Sequence, residues 1–274
     1  MMSATHMRFC ILGSGSGGNC ALLQTPRARV LIDAGFSARR TNEMLAQLGE
    51  SLANIDAIFI THEHGDHASA IGGLAKHAGI KVFANHATAR VVQMKLRHTP
   101  AWQFFETGAR FDFLDLSVES FSVPHDAQEP VGFVFTHRQE AQPQPPQGAC
   151  ARSVAWLTDL GHAPQHVRER IRGVEVLVVE ANHCTEMLKA DARRPWSLKQ
   201  RIGGRHGHLS NSAVRELLEG VDEPAWRQIY LTHLSSECNS AEAVLRDLDG
   251  IDARLKCPFA VVPPGERTAF YEFA

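Results

Sequence analysis

Thr61-His62-Glu63-His64-Gly65-Asp66-His67 decides the reading of this chain. The run before it, Asp56-Ala57-Ile58-Phe59-Ile60, is short and apolar, as in a buried strand, so the polar stretch begins where a strand ends. Residues 62–67 hold three imidazoles and two carboxylates. Borderline and hard dications take such mixtures of N and O ligands. A tight H-x-H-x-D-H turn can aim His62 and His64 at one ion, and Asp66 and His67 at a second. The plain alternative is a solvated, histidine-rich loop. It requires four ligand-type residues to fall in this order, directly after a strand, by chance.

Thr61, His62, His64, Asp66 and His67 match the metal motif of the metallo-β-lactamase superfamily without departure, and the chain resembles that family. The resemblance implies an α/β fold, a four-layer αβ/βα sandwich with a di-metal site at one edge. It also implies three more ligands, each at a strand end. Residues 116–123 alternate polar and apolar, Pro124 stops them, and His125-Asp126 follows. Residues 154–158 form a compact apolar strand ending at Asp159, and 228–232 lead into His233. A lone His at a strand end is ordinarily a surface or capping residue; the order and context make these two ligands. The implied set is His62, His64 and His125 on one ion and Asp66, His67 and His233 on the other, with Asp159 between. Two divalent ions are expected, Zn2+ for the imidazoles or Mn2+ for the added carboxylate oxygens. Asp33, after 30–32, matches the family's first-motif Asp, which supports the His loop from behind. Its plain alternative is a turn Asp before Gly35. Glu180 is expected in the same supporting shell.

Bulk properties are permissive. The 274 residues are 44% hydrophobic, enough for one sizeable core, and we read 1–274 as a single domain. A formal charge of −2 offers no global attraction for nucleic acid. No run approaches the roughly eighteen apolar residues of a membrane span, and residues 1–6 lack the apolar core of a signal peptide. A cytoplasmic protein without membrane contact is expected. The cysteines at 10, 20, 150, 184, 238 and 257 show no C-x-x-C spacing and read as reduced thiols. Cys184, beside His183, reads as a small buried hydrophobe, with a near-site thiol as the alternative.

Strands are expected at 8–12, 20–24, 28–33, 81–84, 131–136, 154–158 and 174–180, with broken strands over 102–121. Helices are expected over 37–48 (Ser37 as N-cap, Gly49 as stop), 68–78, 88–97, 211–218 and 241–248. Residues 138–152, rich in Gln and Pro, read as a flexible surface insertion. No gap is large enough for an inserted β-CASP cap or a long tRNA-binding arm. The glycine loop Leu12-Gly13-Ser14-Gly15-Ser16-Gly17-Gly18-Asn19 is followed by a strand, not by the helix of a dinucleotide site. It reads as a tight loop at the cleft rim, where Ser14 and Ser16 would meet a substrate phosphate.

Three segments narrow the resemblance: Glu180-Ala181-Asn182-His183-Cys184, Arg193-Arg194-Pro195-Trp196, and Gly207-His208-Leu209-Ser210-Asn211. With the glycine loop they look like the small bacterial YycJ/WalJ-type branch. That branch is associated with exonuclease action on double-stranded DNA and a proposed link to mismatch repair. The implied chemistry is attack on phosphorus by a hydroxide shared between two ions about 3.5–4 Å apart. His208 aligns with a Gly-His-Ser/Thr element that lies near the scissile phosphate in tRNA-processing relatives. Asp66, His208 and His183 are the catalytic candidates; a structural hydrogen bond is the alternative for His183. Lys189, Arg193, Arg194, Lys199, Arg201 and Arg205 flank one acid, Asp191, and would draw a phosphate backbone. Arg194, Lys199, Arg201 and Asn211 are the expected substrate contacts, and Trp196 could stack on a base. The plain alternative is a solvated basic face with Trp196 as a core anchor. DNA is the expected partner, and a homodimer would extend the DNA surface. The competing function is a small-molecule hydrolase of the same fold, acting on a cyclic phosphate or a thioester.

Overall fold

The computed structural model describes residues 6–74, 76–77, 79–138 and 152–273. The expected insertion lies outside them except for its ends, Arg138 and Arg152, as does Cys150. The strands are β1 (Arg8–Gly13), β2 (Cys20–Gln24), β3 (Arg29–Ile32), β4 (Ala57–Phe59), β5 (Lys81–Ala84), β6 (Ala101–Phe104) and β7 (Arg110–Phe113). Then follow β8 (Leu116–Ser122), β9 (Val131–His137), β10 (Ser153–Leu157), β11 (Val176–Glu180), β12 (Gln228–Thr232), β13 (Phe259–Val261) and β14 (Tyr271–Glu272). They form two seven-stranded sheets, ordered β14-β1-β2-β3-β4-β5-β6 and β13-β12-β11-β10-β9-β8-β7. The last strand crosses back to pair antiparallel with β1.

Alternation along each strand builds the layers. Phe9 and Ile11 of β1 enter the core between the sheets, while Cys10 and Leu12 face the outer cluster with Met44 and Leu45 of the helix Ala38–Ala46. Val176 and Val178 of β11 point inward, and Leu177 and Val179 pack with Val214, Leu217 and Leu218 of the helix Asn211–Glu219. Both faces are therefore buried, which is why these strands read as unbroken apolar runs. The result is the expected helix–sheet–sheet–helix sandwich. Parallel pairings β3-β4-β5 and β10-β11-β12 bring their carboxyl ends to one edge, the usual place for a site in such sheets.

Local signals hold at several ends: the Ser37 side chain accepts from Arg40 N, and the Ser210 side chain from Ala213 N. One expectation is corrected. The helix placed at 68–78 starts earlier, within the metal motif, as Gly65–Ala68, followed by Ile71–Leu74. Asp66 and His67 thus sit in a helical first turn. The helices Gln165–Arg172, Thr185–Ala190, Trp196–Ile202 and Ile251–Leu255 were not expected. Among the described residues no helix is long and apolar enough to cross a membrane.

Candidate metal centre

The strand ends deliver the motif residues to one cleft of about 300 Å3, lined by Ser16, His64, Asp66, His125, Asp159 and His208 among others. His62, His64 and His125 form one cluster, and Asp66, His67, Asp159 and His233 a second; within each, the ligand atoms lie within 4.8 Å of one another. Asp33, Asp159 and His233 all have left-handed backbones, with φ of 59°, 58° and 56°. Each follows a strand, and the reversal swings its side chain across the sheet edge. Such conformations in non-glycine residues concentrate at functional sites. Gly35 meets a different need: a Cβ there would lie 1.7 Å from the Asp66 carbonyl oxygen. The backbone N–H of Asn19, from the glycine loop, donates to that same oxygen at 2.8 Å.

The histidine tautomers fit a cation. A carboxylate or carbonyl oxygen can only accept, so its histidine partner carries the proton at the nitrogen it presents. His67 Nδ1 donates to Asp33 Oδ2 at 2.9 Å, His125 Nδ1 to the Gly207 carbonyl at 3.0 Å, and His233 Nδ1 to Glu180 Oε2 at 3.2 Å. Each ring is left with Nε2 for a metal. His62 Nε2, His233 Nε2 and Asp159 Oδ2 are buried without a hydrogen-bond partner among the described residues. Asp159 Oδ2 lies 2.8 Å from His67 Nε2 without hydrogen-bond geometry, as expected of two ligands aimed at a common point. Asn19 Nδ2 also lies 3.0 Å from His67 Nε2, the edge a cation would take. Burial in unpaired groups is costly, so the donor set fits divalent cations.

Asp33 and Glu180 hold the candidate ligands from behind. Asp33 is fully buried and accepts from Thr61 N, Thr61 Oγ1, His67 Nδ1 and Trp156 Nε1. Glu180 Oε1 accepts from the backbone N–H groups of Leu160 and Leu209, and Oε2 from His208 and His233. Charges follow from this packing. Burial pushes His62 well below the usual histidine range, and the neighbouring His67 adds to that. Burial also opposes charge on His67 and His233, but Asp159 leads the carboxylates that outweigh it, lifting His67 well above its usual value and His233 to about 10. Burial would raise Asp159 and Glu180; the surrounding histidines prevail and hold Asp159 well below its usual range and Glu180 at about 2. A bound cation would replace the protons on His67 and His233.

The family described as the β-lactamase superfamily domain matches residues 28–234. The chain belongs to the metallo-β-lactamase superfamily. Within it, exodeoxyribonuclease YycJ of Bacillus anthracis is 33% identical over 238 residues, 86% of this chain and 85% of the relative. Exodeoxyribonuclease WalJ of Streptococcus pneumoniae serotype 2 is 34% identical over 245 residues, 88% and 86% of the two chains. The metallo-β-lactamase fold protein YhfI of Bacillus subtilis superposes with a TM-score of 0.69 over 97% of this chain and 99% of its own, at 14% identity, and so bears on the fold alone. The chain is a hydrolase of the metallo-β-lactamase superfamily, in the YycJ/WalJ-type group.

The residues that flank the ligand clusters divide sharply. Ser16, Arg201 and His208 line the cleft. Ser14 does not. Its fully buried hydroxyl accepts from His233 N at 3.0 Å and donates to Asn19 Oδ1 at 2.7 Å, so it pins the His233 loop. Asn211 is likewise buried, bonded to Asn239 and Asp247. Arg194 pairs with Asp191 and Glu237, and Lys199 Nζ donates to the Lys189 carbonyl at 2.7 Å; neither lines the metal cleft. His183 lines a neighbouring cavity instead. Arg201 is paired with Asp126 at 2.5 Å. The basic strip is therefore partly neutralised by acids remote in sequence. Asp126, Leu198 and Ile202 also line the cleft. Asp126 was findable as the neighbour of His125; the other two carry no local signal.

Proposed function

We propose that this chain is a divalent-metal-dependent exonuclease that hydrolyses phosphodiester bonds of DNA. The observation that carries the reading is one cleft lined by members of both ligand clusters together with His208. DNA as substrate is supported by the names of relatives matched along most of the chain. His62, His64 and His125 would hold one cation, Asp66, His67 and His233 the other, with Asp159 between them. Zn2+ or Mn2+, when bound, would supply Lewis acidity toward phosphoryl oxygens and acidify water near neutral pH.

The protein's own part is orientation and proton delivery. Glu180 Oε2 accepts from His208 Nδ1 at 3.1 Å and fixes the ring, whose side chain remains 22% exposed. Burial works against charge on His208, but the Glu180 carboxylate outweighs it and raises its pKa. The imidazolium can donate to a non-bridging phosphate oxygen or protonate the leaving oxygen. At the rim, an entering phosphate competes with Asp126 for Arg201. His183 has no place in this chemistry.

The test is digestion of 5′- and 3′-labelled duplex DNA, single-stranded DNA and RNA with Mn2+ or Zn2+, beside bis-p-nitrophenyl phosphate and a His64→Ala/Asp66→Ala control. Progressive loss of terminal label from DNA, absent in the control, is expected and fixes polarity. Turnover of the small ester without any nucleic-acid cleavage would overturn the reading in favour of a small-molecule phosphodiesterase.

A further inference from the structure

The helix Trp196–Ile202 has no buried residue, so it does not exist to fill the core. Leu198, Arg201 and Ile202 line the metal cleft. Trp196, Lys199, Gln200 and Gly203 line a second cavity of about 480 Å3. The spacings i, i+3, i+4 in the first set and i, i+3, i+4, i+7 in the second define two faces of one helical turn pattern. One short segment thus walls two cavities, and His208 lines both. Trp196 is 66% exposed, which excludes a core anchor.

The chemistry of the second cavity differs from that of the first. Leu188 and Trp196 supply apolar surface, and Lys189 and Lys199 supply cations. His183 is 3% exposed; its Nδ1 is buried with no hydrogen-bond partner among the described residues, and its Nε2 is the nitrogen beside the cavity wall, 3.9 Å from where a Cβ on Gly203 would stand. Burial holds this imidazole down at about 4, hence neutral at neutral pH. A neutral imidazole donates or accepts by choice of tautomer, as the mixed edge of a nucleobase requires. The volume lies within the about 300–1,000 Å3 typical of small-molecule pockets. A free phosphate would need none of the apolar surface.

We propose that this cavity is a nucleobase pocket, in which Trp196 stacks on one base of the bound strand, His183 reads its edge, and Lys199 meets the adjoining phosphate. The shared His208 wall would then set the distance from that base to the scissile phosphate. The assignment rests on the nuclease reading for its biological substrate, but nucleotide binding tests it without turnover.

The experiment titrates dAMP and dTMP into the metal-loaded full chain and follows tryptophan fluorescence and heat. Deoxyribose 5-phosphate and inorganic phosphate serve as baseless probes, and Trp196→Ala and His183→Gln as variants. The mononucleotides should quench the exposed indole saturably and bind about 5- to 100-fold more tightly than the sugar phosphate, in line with base–aromatic stacking. Trp196→Ala should abolish that preference while melting like the wild type, because its helix buries nothing. Equal affinity for dAMP and deoxyribose 5-phosphate, or a preference that survives in Trp196→Ala, overturns the pocket. DNA digestion run in parallel separates the two ideas. DNA cleavage without base preference sinks the pocket alone. Base-dependent binding without cleavage of any nucleic acid sinks the nuclease reading and leaves a nucleotide site.

Discussion

Asp33→Asn replaces one oxygen of a fully buried carboxylate by NH2, with no change of shape and with a residue that tolerates the φ of 59°. Every partner of this carboxylate is a donor. At Oδ2 the new amide nitrogen would oppose His67 Nδ1 and Trp156 Nε1, both at 2.9 Å. At Oδ1 it would oppose Thr61 N at 2.9 Å and a Thr61 hydroxyl that can turn. The second orientation is cheaper, so one bond is lost and the others now reach a neutral acceptor. A hydrogen bond to a charged group contributes about 1.5–3 kcal/mol. Unfolding free energy should therefore fall by about 2–3 kcal/mol. At about 2–4 °C per kcal/mol for a chain of this size, the melt should drop by roughly 4–12 °C. His67 would also face its cation as a weaker base, and loss of such a supporting partner typically costs about 10–100-fold in metal affinity. Scanning calorimetry of the metal-free chain reads the first effect, and competition with a chromophoric chelator the second. A variant with wild-type melting and wild-type affinity would refute the view that Asp33 anchors the metal loop.

Glu180→Gln keeps the acceptor for Leu160 N and Leu209 N but turns an amide nitrogen toward His208 and His233. Steady-state kinetics on DNA should show kcat lower by about 10–100-fold, and an unchanged kcat would remove Glu180 from the mechanism. Ser14→Ala should cost about 1 kcal/mol in urea unfolding and leave KM alone, because among the described residues its hydroxyl bonds only to His233 N and Asn19; a raised KM would restore a substrate role. His183 has a pKa of about 4 in the fold against 6.5 when unperturbed, chiefly through burial. The stability gained by keeping it neutral is full above pH 6.5 and is lost as pH falls toward 4. That loss amounts to up to about 3 kcal/mol. His183→Gln should flatten the acid limb of stability over that window, and parallel limbs in the two proteins would contradict the burial argument.

Legibility followed the range of the interactions. The candidate ligands could be located because the family resemblance implies ligands at strand ends, and each candidate lies where an apolar strand run breaks, a local pattern. The supporting carboxylates Asp33 and Glu180 end strands in the same way. The helix Trp196–Ile202 escaped notice because it buries nothing, so it carries no apolar stripe, and the polar helix Gln165–Arg172 shows only Val167 and Ile171 as a buried pair. The expected substrate contacts that lie away from the cleft share one cause. Arg194 looked free beside Asp191 alone, yet Glu237 reaches it across the fold; Asn211 looked like a helix-start contact, yet Asp247 and Asn239 take its amide.

By itself the sequence determined the metal motif and the strand breaks around it, and the family resemblance that these carry implied the sandwich and the residues at its edge, because ligand order and strand breaks are properties of neighbouring residues. Only the tertiary structure decided which cations find acids, which hydroxyls are buried, and that one exposed helix separates two cavities. Those outcomes depend on side chains tens of residues apart meeting at distances of a few ångströms, and no local pattern records which ones will meet.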